Sequence, residues 1–166
     1  MEYLLKLAMQ IGIFLRNSGE IVTTAESCTG GGISYILTEI VGSSAWFERA
    51  FVAYSNEAKY ELLGVKEETL VTCGAVSEEV VAEMACGAVS ASNADYGLAV
   101  SGIAGPLGGS EAKPVGMVCF GWATRSGVVT ETNLFKGDRY VIRRNAIAHS
   151  LCGFQSYLEN QQSERE

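Results

Sequence analysis

Residues Thr23-Thr24-Ala25-Glu26-Ser27-Cys28-Thr29-Gly30-Gly31-Gly32 constrain this chain more than any other stretch. Ahead of the glycines stand the β-branched Ile21, Val22, Thr23 and Thr24; behind them Ile33, Ile36, Leu37 and Ile40 recur at helical spacing. The glycines therefore fall where a strand turns into a helix, and Ser27 sits in that junction. Such a junction aims unpaired N–H groups and the positive end of a helix dipole at whatever lies above it. That suits an anion, or a carbonyl oxygen gaining negative charge.

The rest of the chain repeats the strand-then-helix order. Leu4, Leu7, Ala8, Ile11, Phe14 and Leu15 mark an amphipathic helix over 3–17, stopped by Asn17-Ser18-Gly19. The helix after the glycines is predicted over 31–41, and Ala50-Phe51-Val52-Ala53-Tyr54 reads as a buried strand. Ser55 or Asn56 caps a short helix that carries Lys59 and ends at Gly64, one further turn covers 66–70, and Ser77 caps a stronger helix. Tyr96 to Val100 is a third strand feeding a second glycine-rich loop, Ser101 to Ser110. Val115 to Thr124 is apolar on both alternating sets, as in a covered central strand, and Val128 to Lys136 is more polar, as in an antiparallel strand. Asp138 caps the last helix, and 159–166 are polar and expected to fray. Five strands and about five helices over 1–166 predict an α/β fold in one domain: a three-layer α/β/α sandwich on a mainly parallel mixed sheet with one antiparallel strand. In such sheets ligands bind beyond the carboxyl ends of the strands, where Ser27, Tyr54 and the 101–110 loop all belong.

Charge and cysteine usage narrow the function classes. A net charge of −7 repels polyanions and argues against nucleic acid as a partner, although a small anion can still be held by a local cluster of Arg or Lys. Five singly scattered cysteines suggest neither a zinc site nor a disulfide framework, and read as reduced thiols in a cytoplasmic protein. No apolar run is long enough for a membrane span.

The chemistry centres on Ser27, which is either a helix cap or a nucleophile. No Gly-Lys-Ser/Thr follows and no G-x-G-x-x-G matches, which disfavours nucleoside-triphosphate hydrolysis. The single histidine, His149, lies midway along the last helix and reads as structural. Lys59 is the better base, because an amine in a partly desolvated pocket can lose its proton near neutral pH. Tyr54 either relays a proton or orients that amine, or simply packs on the core. Arg139 and Arg143, one turn apart, form either a phosphate clamp or a solvated helix face.

With these residues in view, the chain resembles the CinA C-terminal domain family, and within it the stand-alone nicotinamide-nucleotide amidases. The matching stretches are Thr24 to Gly31, Gly42 to Phe47, Tyr54 to Lys59, Gly74 to Ser77, Ser101 to Pro106, Lys113 to Gly116 and Gly137 to Arg139, in the family's order and across nearly the whole chain. The resemblance implies hydrolysis of nicotinamide mononucleotide to nicotinate mononucleotide and ammonia, without cofactor or metal. It implies a Ser27 nucleophile assisted by Lys59 and Tyr54. N–H groups around Thr29, Gly30 and Gly31 would hold the oxyanion, and the substrate phosphate would bind either near the start of the last helix, with Arg139 and Arg143, or against the 102–110 loop with Gly102 and Gly105. A homo-oligomer, a dimer or higher, is expected by the same analogy. One residue departs: Leu107 stands where the family's loop reads Gly-Pro-Asp-Gly-Gly. That leaves open a second reading, a non-catalytic nucleotide-binding or sensor module of the same fold.

Overall fold

In the computed structural model, which describes residues 1–165, helix α1 (Glu2–Ser18) ends at Gly19, whose φ of 69° supplies the left-handed cap. There follow β1 (Val22–Glu26), α2 (Gly32–Thr38), a 3-10 turn at Ser43–Ala45, β2 (Phe47–Val52), α3 (Asn56–Leu63), α4 (Glu67–Cys73) and α5 (Glu78–Ser90). The chain is completed by β3 (Tyr96–Gly102), β4 (Met117–Ala123), β5 (Val128–Leu134) and α6 (Arg139–Ser163). Ser55, Ser77 and Asp138 cap α3, α5 and α6 as their positions predict, each accepting a backbone N–H three residues on.

The strands lie in the order β2-β1-β3-β4-β5, with β1 parallel to both β2 and β3. β4 pairs antiparallel with both β3 and β5, so β4 is the one strand that runs against the other four. The carboxyl ends of β1, β2, β3 and β5 therefore share one edge of the sheet.

Helices α1, α2 and α6 cover one face; α3, α4 and α5 cover the other. The two faces are built differently. Tyr96, Leu98, Val100, Phe120 and Trp122 point toward α6, while Ala99, Cys119 and Ala123 point toward α5. A Cβ at Gly97 would come within 2.6 Å of Ala85 O, and one at Gly121 within 2.7 Å of Val81 O, so α5 can lie this close only over hydrogen side chains.

Three sequence expectations change. β2 is an edge strand with partly exposed residues rather than a buried one, because β1 pairs with it on one side alone. α2 stops at Thr38 instead of 41, and α6 stays helical through Ser163, so most of the stretch expected to fray is ordered helix. Arg165 Nη1 lies 2.8 Å from Glu20 Oε1; Glu166, the end of that stretch, lies outside the described residues. Among the described residues no helix is long and apolar enough to cross a membrane.

Candidate active site

A cleft of about 270 Å³ opens at the shared carboxyl edge of the strands. Its walls come from four places: Ser27 and Cys28 after β1, Tyr54, Asn56 and Lys59 after β2, Ser101 to Gly105 with Leu107 and Gly108 after β3, and Arg139 at the start of α6. Ala75 and Val76, in the turn between α4 and α5, close the remaining side. Lys59 and Arg139 are the charged residues of the wall and no carboxylate joins them, so the cleft is locally positive on an acidic protein.

Ser27 and Lys59 meet inside it. Lys59 is the fourth residue of α3, 1% exposed, and its Nζ donates to Ser27 Oγ at 3.1 Å and to the Tyr54 carbonyl at 3.0 Å. No carboxylate lies within ion-pair distance of that amine among the described residues, so burial lowers its pKa from the ordinary lysine value. Ser27, 7% exposed, is fixed by its own N–H donating to Val100 O at 3.0 Å. The neighbouring Cys28 thiol is pushed up to about 12 by burial, with the Glu26 charge adding to the rise, and stays protonated.

Glu26 explains how the loop holds its shape. Alternation along β1 puts Val22, Thr24 and Glu26 on the α2 side of the sheet. The fully buried Glu26 carboxylate accepts from Thr29 Oγ1 at 2.7 Å, Ile33 N at 2.8 Å, and Ser34 N and Oγ at 3.0 and 2.5 Å. It therefore occupies the anion position at the start of α2 that sequence reasoning reserved for a reacting oxygen. Thr29, Gly30 and Gly31 do not line the cleft, and the Gly30 N–H donates to Ser27 O at 3.0 Å. The Cys28 N–H lies beside Ser27 and donates to no other residue among the described residues.

The two arginines divide. Arg139 Nη1 donates to Gly105 O at 2.8 Å and its Nη2 to Tyr54 Oη at 3.2 Å, which holds both side chains at the mouth of the cleft. Arg143 lies outside the cleft, donating from Nε to Cys28 O at 2.9 Å and from Nη2 to Thr29 O at 3.2 Å. Its guanidinium clamps the 27–29 loop from behind. Tyr54, 59% exposed, orients the Lys59 amine through its main-chain carbonyl, while its phenol faces the mouth.

Residues 4–158 match the family model described as the CinA C-terminal domain. The chain belongs to the CinA C-terminal domain family. Among its relatives, the nicotinamide-nucleotide amidohydrolase PncC of Escherichia coli K12 is 55% identical over 159 residues, covering 95% of this chain and 96% of the relative. The protein of the same name from Pseudomonas putida is 50% identical over 153 residues, 92% and 96% of the two chains. In three dimensions the chain is similar to the competence/damage inducible protein CihA of Agrobacterium tumefaciens, with TM-score 0.90 and 43% identity over 95% of this chain and 96% of that one.

Within this CinA domain the fold gathers Ser27, Tyr54, Lys59, Gly102, Gly105 and Arg139 around one cleft, and leaves Thr29, Gly30, Gly31 and Arg143 in its support. No residue type at Ala75 or Val76 marks them in the sequence as part of a cleft wall. The available signal was Gly74, a φ-positive residue three positions ahead of the Ser77 cap, which marks a tight turn rather than a continuous helix. His149 is remote from the cleft, ringed by Phe120, Trp122 and Phe135 and 2.9 Å from Glu131.

Proposed function

We propose that this protein hydrolyses the carboxamide of nicotinamide mononucleotide to nicotinate mononucleotide and ammonia, a salvage step for pyridine nucleotides, with Ser27 as nucleophile and Lys59 as base. The observation that carries the reading is the 3.1 Å contact between a buried lysine amine without a carboxylate partner and a serine hydroxyl at the wall of a cleft. The names of relatives at 50–55% identity over nearly the whole chain support the substrate.

Neutral Lys59 takes the Ser27 proton as Oγ bonds to the amide carbon. The resulting ammonium returns that proton to the departing nitrogen, the C–N bond breaks, and ammonia leaves an acyl-serine. Water, deprotonated by the same amine, then cleaves the ester. The proton moves on to Ser27 Oγ, which restores both side chains. The Cys28 N–H, which directly follows the nucleophile, is our candidate donor to the oxyanion. Arg139 receives the phosphate, and the exposed face of Tyr54 lies along the cationic pyridinium ring. The Arg139 charge, on a wall that carries no carboxylate, favours a substrate carrying a phosphate over one that brings only the ring's charge.

The test is ammonia release from nicotinamide mononucleotide by the purified protein, beside Ser27→Ala and with free nicotinamide as control. Turnover of the nucleotide alone, lost in the variant, is the expected result. Binding of the nucleotide with no ammonia released by the unaltered protein would replace the amidase reading with a nucleotide-binding module.

A further inference from the structure

We propose that Lys113 is a positioning residue that straps the two opposed walls of the cleft together and so sets its width for substrate; the effect on turnover rests on the amidase reading above. The main chain of Lys113 belongs to the loop after β3: its carbonyl accepts from Ser110 N at 2.8 Å, and its own N–H donates to Ser110 Oγ at 3.1 Å. Two residues on, Val115 sits under that loop so tightly that a Cβ at Gly105 would come within 2.4 Å of it. The Lys113 side chain then crosses to the opposite wall, where its ammonium donates to the carbonyl of Cys73 and, at 2.7 Å, to that of Val76.

The second acceptor separates this arrangement from an ordinary basic residue at a helix end. Cys73 closes α4, and a cation there answers the unpaired carbonyls of the last turn. Val76 lies beyond the helix, past Gly74, and is itself part of the cleft wall. Its neighbour Ala75 is tied from the other side, accepting from the buried Ser101 Oγ at 2.8 Å. The 75–76 segment thus has no secondary structure of its own and is held to the end of β3 by Ser101 and to the loop after it by Lys113. Lys113 forms no ion pair among the described residues, so its charge is directed at these carbonyls alone.

The test compares Lys113→Met, which keeps the stem and removes the donors, with Lys113→Arg, which keeps donors and charge. Gly74→Ala serves as a third variant, retaining the ammonium while placing a Cβ 3.1 Å from it at a φ of 78°. Hydrogen exchange over 73–77 and 103–109 is expected to quicken about tenfold in Lys113→Met and Gly74→Ala, and to stay near the unaltered protein's rate in Lys113→Arg. KM for nicotinamide mononucleotide is expected to rise about tenfold in the first two, with kcat within about threefold. Unchanged exchange and KM in Lys113→Met overturn the proposal. So does exchange that quickens equally in α1 and α6, or a fall in kcat at constant KM. If the unaltered protein releases no ammonia, the amidase reading fails by itself and the exchange comparison still decides the strap.

Discussion

Lys59 Nζ stands 3.1 Å from Ser27 Oγ, 1% of the lysine is exposed, and the amine's other contact is the Tyr54 carbonyl at 3.0 Å. A buried cation without an anion is costly to the fold, and the proposed role as base is what would offset that cost. Lys59→Met is therefore expected to lower kcat by about 10⁴-fold or more while stabilising the fold. The gain is about 1–3 kcal/mol at neutral pH, a Tm rise of roughly 3–10 °C. Steady-state assay and calorimetry on one preparation check both; loss of activity together with lowered Tm would count against the assignment.

The pH dependence follows from the same amine. Burial lowers the Lys59 pKa, and turnover needs the neutral form, so kcat/KM should rise with pH and level off below the ordinary lysine value of about 10.4. For stability the sign is also upward. Between the lowered folded pKa and the unfolded one, the unfolded chain binds the extra proton, so the penalty carried by Lys59 shrinks as pH rises through that window. The Tm gap between Lys59→Met and the unaltered protein should narrow accordingly. A rate that stays flat from about pH 6 to 9 would falsify Lys59 as the base.

Glu26 is the keystone of the Ser27 loop. Glu26→Ala removes the acceptor of two buried N–H groups and two hydroxyls, and is expected to cost about 3 kcal/mol or more, with kcat falling as Ser27 loses its fixed position. Glu26→Gln, which keeps one carbonyl oxygen, should fall between the two. Urea unfolding midpoints order the three proteins.

Arg139 and Arg143 should separate kinetically. Removing the cleft-mouth guanidinium in Arg139→Ala is expected to raise KM for the nucleotide by about 10–100-fold with little change in kcat. Arg143→Ala leaves the Cys28 and Thr29 carbonyls without their donor and should lower kcat instead. Identical kinetic signatures would contradict this division.

Cys28 lines the cleft beside Ser27 yet should be inert. With its thiol pushed up to about 12, the thiolate fraction at pH 8 is about 10⁻⁴. Iodoacetamide at that pH is expected to label exposed Cys152 and leave turnover intact. Peptide mapping after labelling reads both; rapid inactivation with label on Cys28 would place the thiol in the chemistry.

Local chemistry carried much of this molecule into the sequence. The caps at Ser55, Ser77 and Asp138, the glycine stops at Gly19 and Gly64, and the two glycine loops after strands are decided by neighbours within four residues, so they are legible without coordinates. So is the placing of Ser27, Tyr54 and Lys59 at one end of the sheet, since Ser27 and Tyr54 follow strands and Lys59 lies in the first turn of the helix after β2. What depended on partners far along the chain was not legible. Whether β2 was buried rested on its having one strand neighbour, and the fate of the two arginines rested on carbonyls more than 100 residues away from Arg143. Thr29, Gly30 and Gly31 fall outside the cleft, and the start of α2 below them is already held by Glu26, a carboxylate that alternation along β1 turns toward the helix. Spacing tells which groups can come to one place, but only packing decides which of them already hold a partner there.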